Sequence, residues 1–254
     1  MTTEERIFTV IGLDFETGGL DCTRHACTQI ALQAIRLDTL ETIDRYVTYI
    51  APYNRQETAG QGKRKVLKPK WELQLDFLKE PMGYEPKALA YSGITMEKLS
   101  SQGIDLEEAA KQIIAFARRN TLTPSPQCKP VLAGHNAGFD IGFLQQLISY
   151  ASLTGEFERT FAGTKDFYGN FQPAYIDTIQ LARLAFARNG SVTSYKLELV
   201  AAKLGIDLDD AHDAGADIAA TVDVLKLLSL RIRSEQGSDE AVIKRERTRD
   251  YFKI

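Results

Sequence analysis

The chain has 254 residues, 44% hydrophobic and 26% charged, with a net charge of −3 and a pI near 5.7. These values exclude a disordered or fibrous protein, and they exclude a globally cationic nucleic-acid binder, so any nucleic acid must be gripped by local basic patches or by metal ions. No apolar run approaches the ~18 residues of a membrane span, so no membrane association is expected. The start, MTTEERIFTV, lacks the basic head and long greasy stretch of a secretory signal. Cys22, Cys27 and Cys128 are an odd set without metal-type spacing, which points to reduced thiols and a cytoplasmic protein.

Ile7 to Phe15 (IFTVIGLDF) is apolar on both alternating faces, the pattern of a central strand covered on two sides. Cys27–Leu37 and Thr42–Ile50 are further strands, close enough for antiparallel hairpins. From Leu106 the period becomes helical through Ala109, Ala110, Ile113, Ile114 and Ala117. A strand over Pro130–His135 then leads to a helix over Phe139–Tyr150. A strand at Ala174–Ile176 leads to a helix over Asp177–Arg188. Next comes a helix with Ser194 as its cap, Leu197, Val200, Ala201 and Leu204 as its stripe, and Gly205 as its end. The last helix is expected over Ala211–Arg233. Three strands followed by alternating helices and short strands imply an α/β chain, with one mixed sheet flanked by helices. No repeat or linker divides it, so 1–254 reads as a single domain. Its core spans about 7–233, with an insertion at about 53–87 and a tail at about 234–254. The segment Tyr53–Lys87, with a short helix near Trp71–Leu78, and the segment Gly155–Pro173 read as loops added to this core.

Certain carboxylates fall where a core is expected. Asp14 and Glu16 share the strand face of Phe8, Val10 and Gly12. Asp140 lines up with Leu144 and Leu147, and Asp217 with Thr221, Val224 and Leu228. Two carboxylates ~4 Å apart repel by roughly 4 kcal/mol at an effective dielectric near 20, and partial burial adds several kcal/mol per ion. Basic partners or bound metal are the remedies. Arg24 apart, no Lys or Arg lies near these acids in sequence, and hard oxygen ligands suit Mg²⁺ or Mn²⁺. Two divalent cations would balance the four charges and would be placed for phosphoryl chemistry. His212, just before Asp217, is either a helix-start residue or, beside an activated water, a general base.

The segments Asp14-Phe15-Glu16-Thr17-Gly18, His135-Asn136-Ala137-Gly138-Phe139-Asp140 and His212-Asp213-Ala214-Gly215-Ala216-Asp217 resemble, in order, the three motifs of the DEDDh 3′→5′ exonucleases. That family includes polymerase proofreading subunits, RNA-trimming nucleases and oligoribonucleases. The resemblance extends from about Phe8 to Leu230, with secondary echoes at Gly93-Ile94-Thr95, Asp177-Thr178 and Tyr195-Lys196-Leu197. It implies a ribonuclease-H-like sheet, three antiparallel strands followed by parallel ones, with the acids gathered at one edge. By the same resemblance Asp14, Glu16, Asp140 and Asp217 form the metal-binding tetrad. His212 activates the water that attacks the terminal phosphodiester, releasing a nucleoside 5′-monophosphate. The tyrosine branch of the family would place Tyr where Asp213 stands, so the histidine branch is the match.

Thr17, Gly18, Gly19 and Leu20 are expected to bind the substrate. Small residues admit backbone amides to the 3′ sugar, and Leu20 stands at the family's wedge position; the alternative is a plain Gly-Gly turn. His135 is expected to bond nearby loop backbone, Asp177 to cap its helix and Asp213 to sit favourably in the first turn of the last helix. His25 reads as a surface residue without a partner. Residues 54–70 hold Arg55, Lys63, Arg64, Lys65, Lys68 and Lys70 against Glu57 alone, and read either as a basic flap on the substrate backbone or as a solvated loop. The basic tail Lys244–Arg249 reads as a solvated helical end. The expected substrate is a single-stranded or frayed 3′ end, with DNA slightly favoured over RNA. The alternatives are an RNA 3′-end processor or oligoribonuclease, and a proofreading or nucleic-acid-binding subunit with a polymerase partner. The oligomeric state is left open.

Overall fold

A computed structural model describes residues 6–56, 80–207 and 213–234. The body of the insertion, including Lys63–Lys70 and Trp71–Leu78, lies outside the described residues, as do His212 and the tail with Lys244–Arg249.

Strand β1 (Thr9–Thr17) is the axis of the molecule. Val10, Ile11 and Leu13 are at most 1% exposed, as expected of a strand with apolar residues on both faces. It pairs antiparallel with β2 (Cys27–Arg36), which pairs antiparallel with β3 (Thr42–Tyr49). On its other side β1 runs parallel to β4 (Val131–Gly134), and β4 runs parallel to β7 (Tyr175–Asp177). The five-stranded order is β3-β2-β1-β4-β7. This is the mixed sheet expected for a ribonuclease-H-like fold.

Helices cover both faces. On one side α3 (Leu106–Arg119) and α4 (Ala137–Tyr150) bury Ile113, Phe116, Phe143, Leu144 and Leu147 against Ile11, Leu13 and Phe15. On the other, α8 (Ala214–Ser234) lays Ile218, Val222 and Leu225 on Val10, Ala31 and Ile35. Gly12 makes that approach possible, since a Cβ there would stand 2.9 Å from Ile218 Cδ1 and 3.1 Å from Val222 Cγ2. A side layer of α6 (Thr178–Ala185) and α7 (Leu197–Leu204) packs Phe186, Val200 and Ala201 against Val224 and Leu228 of α8.

Several expectations need correction. Gly155–Pro173 is not a plain loop, because it holds α5 (Thr154–Thr160) and a hairpin of β5 (Gly163–Lys165) and β6 (Phe171–Pro173). The hairpin is anchored where Phe171 meets Phe157 edge-on, with ring centroids 5.5 Å apart. On either side of residues 57–79, Arg55 N–H donates to Glu80 O (2.7 Å) and Met82 N–H to Tyr53 O (3.1 Å), and helices α1 (Pro86–Ser92) and α2 (Met96–Gln102) follow. Lys196, not Ser194, is the N-cap of α7; Gly205 ends it in the left-handed region at φ 77°.

Candidate active site

The antiparallel register places Asp14 opposite Ala31 and Glu16 opposite Gln29, and a bulge follows Glu16. Both carboxylates lie on the face of β1 that α8 covers, so the close packing at Gly12 brings Asp217, in the first turn of α8, up to them. Carboxylate oxygens of Asp14, Glu16 and Asp217 lie within 4.8 Å of one another. Thr221, Val224 and Leu228, in line with Asp217, are at most 1% exposed, so its stripe does face inward.

Asp140 joins this group from α4. It is 4% exposed, and its Oδ1 accepts the Phe15 backbone N–H at 3.0 Å. Its position is fixed by the preceding turn, where Asn136 adopts φ 65° and its N–H donates to Asp177 Oδ1 at 3.2 Å. Asp177 also caps α6 by accepting from Ile179 N–H at 2.9 Å, as expected. His135 bridges the neighbouring elements: Nε2–H donates to Tyr195 O (2.8 Å), leaving Nδ1 to accept from the Thr178 hydroxyl (2.8 Å). Burial lowers its pKa and keeps the ring neutral. Its role is structural, through loop backbone, as the sequence reading has it.

The electrostatics follow from this crowding. Burial, then Asp140, Asp217, Glu16 and Asp213, push the Asp14 carboxyl well above the usual range. Burial with Asp217 and Asp213 raises Glu16 to about 7. Asp140 is raised by burial against the opposing pull of the Phe15 N–H. Buried carboxylates that repel one another and present only oxygen ligands fit a hard divalent cation. Asp14, Glu16 and Asp217 would hold it, with Asp140 beside them.

The loop after β1 is held close to its neighbours. Gly18 N–H donates to Ala26 O and Glu85 N–H donates to Gly18 O, both at 2.7 Å. A Cβ on Gly18 would lie 2.5 Å from Gly83 O, and one on Gly19 would strike the His25 ring. Thr17 Oγ1 donates to Gly19 O at 2.8 Å, and Leu20 stands 85% exposed beyond it. His25 is therefore not a surface residue. It is 8% exposed, packed under Gly19, and pairs with Glu85 at 2.9 Å.

Three further residues act on the site, and two of them, Gln29 and Tyr91, lie outside every motif. Asp213 caps α8 by accepting from Gly215 N–H at 2.9 Å and adds a negative charge to the group. Gln29 Nε2 donates to Asp213 Oδ2 (2.9 Å) while its Oε1 accepts from Ala214 N–H (3.3 Å), tying the helix start to β2. Tyr91 of α1 is 65% exposed, and its phenol is raised by burial and by the field of Glu198, Asp217 and Glu16. Glu16 and Gln29 face each other only through strand register.

Residues 78–225, more than half of the chain, match the RNase_T exonuclease family model. The chain belongs to this exonuclease family. The match begins beyond Asp14 and Glu16, so the geometry, rather than the matched stretch, joins the first acidic pair to Asp140 and Asp217. DNA polymerase III PolC-type of Clostridium perfringens is 30% identical over 105 residues, covering 41% of this chain and 6% of the polymerase. Exonuclease I of E. coli in complex with a dT13 oligonucleotide has a TM-score of 0.58 at 21% identity, covering 88% of this chain. The moderately thermophilic exonuclease I of Methylocaldum szegediense has a TM-score of 0.60 at 23% identity, covering 90% of this chain. Both likenesses show the exonuclease fold. This chain spans 41% of the length of each of those two solved chains.

Proposed function

We propose that the protein is a metal-dependent 3′→5′ exonuclease acting on single-stranded or frayed 3′ ends, with DNA favoured over RNA. The observation that carries this reading is the approach of the Asp14, Glu16 and Asp217 oxygens to within 4.8 Å of one another, beside buried Asp140. Preference for DNA is supported by the solved relative that holds a dT13 oligonucleotide.

In this reading Asp14, Glu16, Asp140 and Asp217 hold two divalent cations, Mg²⁺ or Mn²⁺. When bound, these supply charge neutralisation at the scissile phosphate and acidify the attacking water. The chain's own residues do the rest. Leu20 and Tyr91 offer apolar and aromatic surface to the terminal bases, and the Thr17–Gly19 backbone, pinned by Ala26 and Glu85, receives the 3′ sugar. His212 takes the proton of the attacking water as its oxygen bonds the terminal phosphorus; the P–O3′ bond breaks, the 3′ oxygen of the shortened strand takes a proton from solvent, and a nucleoside 5′-monophosphate is released. The basic stretch 54–70 steers the phosphate backbone towards the acidic cluster. The family's proofreading members and the PolC-type relative support a polymerase as partner. The free state of Cys22, Cys27 and Cys128 supports a cytoplasmic location.

End-labelled single-stranded and duplex DNA and RNA, incubated with Mg²⁺ or Mn²⁺, test this reading. The expected result is stepwise shortening from the 3′ end with 5′-monophosphate products and faster loss of DNA. Products carrying 3′-phosphate, or turnover persisting in EDTA, would overturn the mechanism. Faster loss of RNA would reassign the substrate to RNA 3′-end processing.

A further inference from the structure

Beside the acidic centre, the β3 margin of the sheet carries two cations. In strand register Glu16 stands opposite Gln29, and Gln29 opposite Tyr49. Side chains directly opposite one another share a face, so Tyr49 lies on the face of the acids. With neighbouring strands ~4.8 Å apart, it stands about 10 Å across the sheet from Glu16. Val47, on the same face, borders the start of α8, since a Cβ on Gly215 would lie 3.5 Å from Val47 Cγ2. Helix α8 packs on Val10, Ala31 and Ile35 of β1 and β2. The margin beyond it is open: Val47 is 48% exposed and Arg45 is exposed beside it.

The ammonium of Lys98, in α2, lies 4.3 Å from the centre of the Tyr49 ring, a favourable cation–π arrangement. The backbone holds the pair together. Just past the end of α2, Ile104 N–H donates to Tyr49 O and Ala51 N–H donates to Ile104 O, both at 2.9 Å. Arg45 lies opposite Gln33 on the same face, and at ~3.3 Å per residue it is about 13 Å down the strand from Tyr49. Neither Lys98 nor Arg45 makes an ion pair among the described residues. The acid next to Arg45, Asp44, turns to the other face, where Arg119 Nε meets its Oδ2 at 2.7 Å.

We propose that Lys98, seated on Tyr49, and then Arg45 hold the phosphate backbone of the substrate, so that the single strand leaves the acidic centre along β3. This deepens the exonuclease reading and rests on it for placing the 3′ end at Asp14, Glu16 and Asp217. Two cations set in line along an open strand margin, beginning beside the acids, suit a chain of phosphates; a compact anion would need them to converge on one point. Phosphate contacts carry no sequence information, so strands of any sequence are held alike. Tyr49 is a positioning residue, because its ring sets where the ammonium stands.

The test is fluorescence polarisation of a 5′-labelled ten-nucleotide dT strand, its last linkage a phosphorothioate to slow shortening, titrated with the full chain in Mn²⁺ over a range of salt. Lys98→Gln and Arg45→Gln are each expected to weaken binding about fivefold and to flatten the slope of log K against log [salt] by about 0.7. Tyr49→Phe keeps the ring beneath the ammonium and is expected to bind as the wild type does, whereas Tyr49→Ala moves towards Lys98→Gln. Lys111→Gln, which alters α3 on the opposite face of the sheet, is expected to change nothing, and thermal melting checks that each variant folds. No binding by the wild type, wild-type affinity and slope in either Lys98→Gln or Arg45→Gln, or an equal loss in Lys111→Gln would overturn the proposal. Failure of the nuclease reading would look different: an unmodified strand would keep its length while Lys98 and Arg45 still governed binding.

Discussion

At the residue scale, the chemistry of the site depends on carboxylates kept close at a cost in stability. Glu16 holds its proton up to about pH 7 in the folded chain, against 4.5 for an ordinary glutamate. Between those values the native state binds more protons than the unfolded chain, so this group's destabilising effect is absent at low pH and grows as pH rises through about 7. At ~1.36 kcal/mol per pKa unit the effect is bounded by roughly 3 kcal/mol and is reduced by solvent screening. Urea unfolding in EDTA is expected to show stability falling from about pH 5 to about pH 7.5, and Glu16→Gln is expected to flatten that slope. An unchanged slope would mean that Glu16 does not feel its neighbours. Asp14→Asn is expected to cost at least a hundredfold in turnover while raising the metal-free melting temperature, because one repelling charge is removed. A gain of ~1 kcal/mol corresponds to roughly 2–4 °C at this size. Near-normal turnover, measured on an end-labelled strand, would remove Asp14 from the proposed tetrad.

At the element scale, strand register and helix starts decide which acids meet. The two-residue spacing of Asp14 and Glu16 and the helical stripes of Asp140 and Asp217 are legible in the sequence, because periods of 2 and 3.6 are local. Gln29 is not: its amide reaches Asp213 and Ala214 across more than 180 positions, and nothing in its own neighbourhood marks it. Gln29 is 2% exposed, and Gln29→Leu would leave the Asp213 carboxylate and the Ala214 N–H short of a partner. The expected loss is about 1–3 kcal/mol in urea unfolding, together with a higher Mn²⁺ concentration for half-activation; wild-type values in both would show that the amide does not position α8. At the entry to α4, the left-handed conformation of Asn136 at φ 65° predicts that Asn136→Val loses about 1–3 kcal/mol. Asn136→Gly should stay much closer to the wild type. Equal melting of the two variants would argue against backbone strain.

At the scale of the whole molecule, the sheet order β3-β2-β1-β4-β7 puts α4 and α8 on opposite faces of β1, yet brings the starts of both helices to the acidic end of that strand. The cation that fits this cluster is expected to bind the folded chain alone. Mg²⁺ or Mn²⁺ at a thousand times its Kd is then expected to add about 4 kcal/mol of stability. Differential scanning calorimetry across a Mn²⁺ titration checks this, and Asp217→Asn is expected to blunt the rise. A melting temperature indifferent to Mn²⁺ in the wild type would argue that the cluster does not hold metal.

The alternation of period-2 and period-3.6 segments determined the α/β class, most strands and the helices of the second half, since each depends on residues within a turn or two. The misplaced acids, recognised as three ordered motifs, determined where to look for chemistry. What the tertiary structure alone decided depends on distant pairings. It joined Met82 to Tyr53 through their backbones, buried His25 beneath Gly19, folded a hairpin from a segment rich in turn residues, and set Gln29 against Asp213. Loop-like composition reports only local backbone preference, whereas burial against a remote partner is a property of the assembled sheet.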